Sequence, residues 1–425
     1  MLKLARKIFD IRRGEMKVTL LLQGYIFLVV ATLLIIKPAV NALFISELGP
    51  DSLPSAYLLV ALAAVLSSYV YTKATQRFDI QVIIRFTLII SIVLLIVLGV
   101  LLHLKMVNGI VLYLFYAIVA IYGVLATSQF WMMANLVFNV REAKRLFGFI
   151  GSGAIVGGIF GGYLTTFLTP LVGGENLFFV AAFFLVLSLP VPEILWKMKM
   201  SHLSTFRHKK RQLPREENPI TLIKSSKHLL YITAIVATGV FVARLVDYQF
   251  SSIAVSKFSD TDELTSFFGF WLSTFNLISL VLQLFLTRRI VGLWGVGKSL
   301  MLLPILLFFG GVVFLVFPEL LFVTLLKGID VSLKQSVNKS AMELIALPLP
   351  VSLKKKTKAY IDVVIDSLAT GLAGVILILF INAAEVPPYF ISVIVMILTI
   401  IWGYFVFKIR KEYFLLFREN LEKVS

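Results

Sequence analysis

Cysteine is absent from this sequence, so no disulfide framework, thiolate metal site or thiol nucleophile can be built from it. Charge is scarce as well. Only 15% of residues are charged against 59% hydrophobic, a balance that leaves a water-soluble globule too little polar surface to cover itself. Histidine occurs four times, at His103, His202, His208 and His228, in positions that read as loops or helix ends. No Ser/His/Asp, metal-ligand or paired-acid constellation is recognisable, and nothing matches the GxxxxGK[ST] phosphate loop. The chain therefore reads as a membrane protein and not an enzyme, with no metal, no cofactor and no ATP hydrolysis to drive it.

What the sequence does have is long apolar runs. A helix needs about 20 mostly apolar residues to cross the hydrocarbon core, and such runs fall at 18–46, 53–72, 81–102, 109–138, 146–168, 176–196, 229–255, 264–287, 297–316, 319–346, 358–382 and 388–408. The first follows the basic segment MLKLARKIFDIRRGEMK, is of spanning length and lacks a small-residue cleavage site, so it reads as a retained helix and not a signal peptide. This predicts an all-α membrane protein of about twelve transmembrane helices.

Lysine and arginine mark the cytoplasmic side of such a chain. They cluster at Lys3, Arg6, Lys7, Arg12 and Arg13, at Lys73 and Arg77, and at Arg141, Lys144 and Arg145. They recur at Arg288, Arg289 and Lys298, at Lys354, Lys355, Lys356 and Lys358, and at Lys408, Arg410 and Lys411. The alternate loops, such as ISELGPDSLPS, SKFSDTDELTS and NAAEVPP, are neutral or acidic. Both termini are thus expected in the cytoplasm, in a multi-pass protein of the bacterial inner membrane. The formal charge of +17 is read as topology, with the lipid bilayer and not nucleic acid as the partner.

The longest polar stretch divides the chain into a six-helix bundle at 1–200, a basic cytoplasmic linker at 201–228, a second six-helix bundle at 229–408 and an amphipathic tail at 409–425. The ENP of the linker can begin a short helix, and its HKKR cluster can touch anionic headgroups. The tail either caps the cytoplasmic end or leads to a further domain or partner protein. Each half repeats one pattern: a polar helix, a basic turn, then a helix rich in small residues. In the first half Gly153, Gly157 and Gly161 stand four apart, the spacing that lets helices approach closely.

Ionisable and amide side chains inside spans are costly, so each is a site candidate. Span one carries Lys37 and Asn41 around Pro38, and span four carries Gln129 and Asn135, for which helix-to-helix hydrogen bonding competes with solute contact. Span seven places Arg244 and Asp247 three apart, either neutralising each other or lining a pathway, with Tyr248 and Gln249 beside them. Span ten is densest: Lys327, Asp330, Lys334, Asn338, Lys339 and Glu343 recur at three- to four-residue spacing, with Lys327/Asp330, Asp330/Lys334 and Lys339/Glu343 as internal pairs. Span eleven adds Asp362 and Asp366. The solute contacts are expected among Lys37, Asn41, Asn135, Arg244, Asp247, Gln249, Lys327, Asp330, Lys334 and Asn338. Coupling or gating is expected at Glu343, Asp362, Asp366, Arg141 and Lys144.

SQFWMMANLVFNVREAKRLFGFIGSGAIVGG resembles the fourth-to-fifth-helix region of the ATP/ADP translocases of plastids and intracellular bacteria. NKSAMELIALPLP and KTKAYIDVV are similar to later elements of the same family, in the same order. The resemblance implies the major facilitator fold, a six-plus-six pseudo-repeat, and strict exchange of nucleotides by rocking of the two halves. The sequence departs from the family at two lysines. The family's first-helix RDTKD falls on Lys37 to Asn41 and puts Val40 where its lysine stands; its late GKSGG falls on Ala369 to Ala373 and puts Thr370 at the second. Three functions follow: an exchanger of a small anionic solute such as a nucleotide, a same-fold transporter of a lipid or organic anion coupled to protons through Asp366 or Glu343, or a non-transporting membrane anchor.

Overall fold

The computed structural model describes residues 15–138, 140–200, 219–349, 353, 357, 358, 360–384 and 387–422. Among them the chain is helical throughout. The helices are α1 Met16–Leu48, α2 Leu53–Arg77, α3 Ile80–His103, α4 Gly109–Val137, α5 Val140–Val172 and α6 Leu177–Ser188, the last carried on by Pro190–Leu195. After a short helix at Pro219–Ser225 come α7 Lys227–Lys257, α8 Thr261–Val281 and α9 Thr287–Val316. Next is α10 Leu320–Leu333, continued through a π-turn at Lys334–Asn338 into Lys339–Ile345. A π-turn at Ile361–Ile365 opens α11 Asp366–Ala384, and α12 is Ile391–Glu422.

Among the described residues ten helical stretches are long and apolar enough to cross a membrane. One of them, 261–316, holds two of the expected spans, α8 and α9; the helix breaks at Gly295, whose φ of 74° is in the left-handed region that glycine enters without penalty. The charged α10 is not among the ten, since Lys327, Asp330, Lys334, Lys339 and Glu343 dilute its apolar face. With α8 and α9 separated and α10 added, the twelve expected spans are accounted for. The short helix foreseen at ENP is present at Pro219–Ser225. The sequence 409–425 reads as a separate tail, whereas α12 runs unbroken from the span to Glu422. The N-terminal basic cluster, His202, His208 and Lys354 to Lys356 lie outside the described residues.

The helices pack as two compact units. Unit 1 is Met1–Glu47, Leu66–Gln212 and Ser259–Thr274; unit 2 is Leu48–Val65, Leu213–Phe258 and Phe275–Ser425. The units depart from the halves read at 1–200 and 229–408 in two segments: the start of α2 packs in unit 2, and the start of α8 packs in unit 1.

Unit 1 is built on α1. Leu22, Ile26 and Ile35 are buried against Ile84 and Leu88 of α3, Phe115 and Phe130 of α4, and Leu177 and Ala181 of α6. A Cβ at Gly153, Gly157 or Gly161 of α5 would lie 2.4, 2.4 or 2.5 Å from the carbonyl oxygen of Gln23, Phe27 or Ala31 of α1. The glycine stripe is thus a packing surface on which two helix backbones meet. Neutral side chains supplement it: Tyr122 donates to the Val29 carbonyl at 3.1 Å, Gln129 to Thr87 at 3.0 Å, and Ser273 of α8 to the Ile159 carbonyl at 2.8 Å.

At one end of unit 1, Arg145 of the basic turn grips both carboxylate oxygens of Glu15 at 2.8 and 2.9 Å, with side chains only 17% and 14% exposed. This arginine locks the start of α5 to the start of α1, beyond any role in orientation. Arg145→Ala is expected to cost about 2 kcal/mol, the worth of charge-assisted hydrogen bonds, read as a lower thermal midpoint, with Lys73→Ala on the exposed end of α2 as the neutral control.

Unit 2 has α7 at its centre, packed on α10, α11 and α12, with α9 against α10 and α12. Its interior includes Val242, Leu245, Leu303, Leu307, Val323, Leu377 and Trp402, all buried. Trp402 fills the space left by Gly239, where a Cβ would meet its ring at 3.0 Å. Although it stands at a helix end, His228 is buried, with Nε2 2.8 Å from the Ile345 carbonyl.

Candidate solute site

Six of the ionisable residues of the spans, Arg244, Asp247, Lys327, Asp330, Lys334 and Asp366, lie in unit 2 on α7, α10 and α11, with the start of α2 against α7. Lys327 of α10 donates to Oδ1 of Asp247 on α7 at 2.6 Å, with side chains 10% and 22% exposed. The hydroxyl of Tyr57 on α2 donates to the other oxygen at 3.2 Å. One turn away on α7, Arg244 donates through Nε to Thr370 of α11 at 3.2 Å, and its guanidinium lies 5.6 Å from the centre of the Tyr57 ring. Tyr248 donates to Asp51, just before α2, at 2.9 Å.

Around this pair stand the remaining charges. Half-buried Lys334 reaches the Gly239 carbonyl at 3.5 Å and feels the charges of Asp330, Arg244, Asp366 and Lys327. Asp330 is 2% exposed, and its Oδ1 has no hydrogen-bond partner; the buried Oδ1 of Asn338 has none either. The Lys327/Asp330 and Asp330/Lys334 pairs foreseen within α10 are absent: Lys327 turns across to α7, where the carboxylate also gains a tyrosine hydroxyl. Arg244, Lys327 and Lys334 share this part of unit 2 with Asp247, Asp330 and Asp366, so the formal charges of the six balance.

Two π-turns lie in this region, at Lys334–Asn338 and Ile361–Ile365. Each adds a residue to a turn and rotates the residues that follow, a feature that recurs at functional sites. Beyond both, a cavity of about 260 Å³ is lined by Lys339, Glu343, Lys358 and Asp362 over an apolar wall including Leu229, Ile232 and Met342. Lys358 pairs there with Glu343.

The other expected residues lie apart from this face. Gln249 is fully buried and donates to Ser392 at 2.9 Å and to the Pro388 carbonyl at 3.1 Å, so it ties α7 to the start of α12. Lys37, Asn41, Asn135, Arg141 and Lys144 are in unit 1. Lys37 is exposed, Asn41 half-buried, and Asn135 spends one amide hydrogen on the Trp131 carbonyl of its own helix at 2.7 Å. Arg141 is exposed, and the Lys144 side chain lies outside the described residues. The sequence singles out neither Tyr57 nor Asp51, and it marks Thr370 only as the place of the family's second lysine. Tyr57 and Thr370 are uncharged, and Asp51 falls in the loop read between the first two spans, where a carboxylate is ordinarily solvated, so none of the three carries a signal of burial against charge.

An all-helical multi-pass chain of this kind has the major facilitator fold. It aligns with a variant of the nucleoside transporter NupG at a TM-score of 0.71 and 10% identity, covering 92% of this chain and 99% of that one. It aligns with a D-xylose-proton symporter at a TM-score of 0.60 and 15% identity, covering 92% and 97%. Residues 96–329, more than half the chain, match the family described as TLC ATP/ADP transporter, and the chain belongs to that family. It is 26% identical over 326 residues to the chloroplastic ADP,ATP carrier protein 1 of Arabidopsis thaliana, covering 67% of this chain and 52% of the relative. With ADP,ATP carrier protein 1 of Chlamydia muridarum it shares 23% identity over 220 residues, covering 47% and 41%. The chain spans about half the length of the curated relatives it matches.

Proposed function

We propose that this protein is a secondary transporter that exchanges a small organic anion, with nucleotides the first class to test, by alternating access, and that the charged face of unit 2 is its solute contact. The observation that carries the reading is the Arg244–Thr370 contact. Thr370 stands where the resemblance puts the family's second lysine, and Arg244 brings a guanidinium to that position from α7. A guanidinium binds phosphate through two donors at once, where an ammonium offers a point charge. The formally neutral face fits a solute that trades places with an internal partner: an entering anion takes Arg244 or Lys334, and nearby carboxylates keep the vacated site from holding it too tightly. Orphaned Asp330 and Asn338 acceptors suit donors on the solute, such as an amino or hydroxyl group. The setting is a multi-pass protein of the cytoplasmic membrane with both termini in the cytoplasm.

Alternating access makes a specific demand here. Helix α2 gives its start to unit 2 and its remainder to unit 1, and α8 does the reverse; in this reading the cycle parts the start of α2 from α11 within unit 2. At Gly371 of α11 a Cβ would lie 3.4 Å from the Cβ of Ala61 of α2, close to the spacing of a disulfide. In the naturally cysteine-free chain, Ala61→Cys with Gly371→Cys should crosslink on oxidation. ATP, ADP and other organic anions are to be offered to vesicles preloaded with the same panel. We expect counterflow to fall at least tenfold when the pair is oxidised and to return on reduction. Full counterflow in the oxidised protein would refute alternating access through this contact, and no counterflow of any nucleotide in the parent would shift the substrate to another anion.

A further inference from the structure

Unit 1 has a second polar site that the solute reading does not use. At the end of the unit away from the basic turns, where α1 finishes, α6 starts and α8 starts, a cavity of about 390 Å³ opens. Four carboxylates line it: Glu47, Glu175, Asp260 and Asp262. His103 is the basic counterpart, 3.5 Å from Glu175. Even with that histidine protonated the cavity is strongly anionic, in a chain whose formal charge is +17.

The floor of the cavity points to a ligand independently of the acids. Thr265 lines it, is 1% exposed, and its hydroxyl oxygen has no hydrogen-bond partner. A buried hydroxyl left unpaired is costly, and most threonines in these helices bond the carbonyl one turn back, as Thr165 and Thr169 do. Beside it Gly174 leaves the floor open: a Cβ there would come 3.8 Å from the Thr265 oxygen and 2.8 Å from Oδ1 of Asp262, which the Gly174 amide already holds at 2.9 Å. The carboxylates are carried by three separate segments, and among the described residues no three acids or histidines converge as a metal site requires. Spread acids over an acceptor-lined floor match several ammonium groups on one flexible chain better than a single ion.

We propose that this cavity binds a linear polyamine, with one ammonium donating to the Thr265 hydroxyl and the others to Glu47, Asp260 and Glu175. The site is independent of the transport reading and can stand or fall without it. Glu47 and Asp260 have no ion pair or hydrogen bond to another described side chain, so Glu47→Gln with Asp260→Asn leaves the packing of unit 1 intact. The test is calorimetric titration of spermidine into the full chain in neutral-lipid nanodiscs at low salt, with magnesium chloride and tetramethylammonium as parallel probes. We expect saturable one-to-one binding of spermidine, at least tenfold weaker in the double variant and at least threefold weaker in Thr265→Val, at unchanged thermal midpoints. Equal heats from magnesium, spermidine binding unaltered in the double variant, or binding unaltered in Thr265→Val would each overturn the assignment.

Discussion

Lys327→Ala is expected to destabilise the protein by about 3 to 5 kcal/mol, the range for removing one partner of a buried ion pair, and to abolish solute exchange. The substitution takes from Asp247, 22% exposed in its side chain, the ammonium that meets it at 2.6 Å, while the Tyr57 hydroxyl at 3.2 Å remains. Loss of fold and loss of function are separated by the double variant Lys327→Met with Asp247→Leu. Removing both charges leaves no carboxylate deprived of its lysine, so the thermal midpoint should recover most of the drop, as apolar replacements of buried pairs often do. Exchange should stay lost if the pair meets the solute. A double variant that exchanges at the parental rate would show that the pair only holds α7 to α10.

Gly157→Ala is the second large effect. Overpacking a core costs about 1 to 3 kcal/mol where side chains can shift, but the atom that the new Cβ would meet at 2.4 Å is the backbone oxygen of Phe27, with the Phe27 Cα at 3.0 Å. Neither can move without α1 moving away from α5 along its length. The loss is therefore expected at or above about 3 kcal/mol, seen as failure of the protein to accumulate in the membrane. Gly24→Ala and Gly148→Ala serve as controls, since a Cβ at either meets nothing within 4 Å. Normal accumulation and thermal midpoint in Gly157→Ala would contradict the tight joint.

These two effects also show what was legible in the sequence. The spans were legible because a bilayer demands about 20 apolar residues at a time, and the glycine stripe because its four-residue spacing has a packing meaning by itself. The charged face was legible in membership: Arg244, Asp247, Lys327, Asp330, Lys334 and Asp366 do come together in one unit. Its pairing was not. Spacing within α10 suggests partners one turn away, but a helix pair brings Asp247 across to Lys327 at 2.6 Å, and sequence distance carries no trace of that. Nor does it foretell the π-turn at Lys334–Asn338, which rotates Lys339 and Glu343 off the line of the earlier charges and places them at the separate cavity with Lys358 and Asp362. Gln249, close to Arg244 and Asp247 in sequence, is held instead by Ser392 and the Pro388 carbonyl, since residues two apart in a helix do not share a face.

The joint between α1 and α5 has a further property. With no side chain at Gly153, Gly157 and Gly161, each presents a Cα hydrogen along the direction in which a Cβ would have met the carbonyl of Gln23, Phe27 or Ala31. Three such weak donor–acceptor contacts in register, about 0.5 to 1 kcal/mol each, hold the helices together with groups that neither titrate nor attract counterions. In lipid there is no hydrophobic force to do this work. The glycine joint itself should therefore be indifferent to acidity and ionic strength, and the sensitivity of unit 1 to both should fall on its ion pairs, Arg145 with Glu15 first among them.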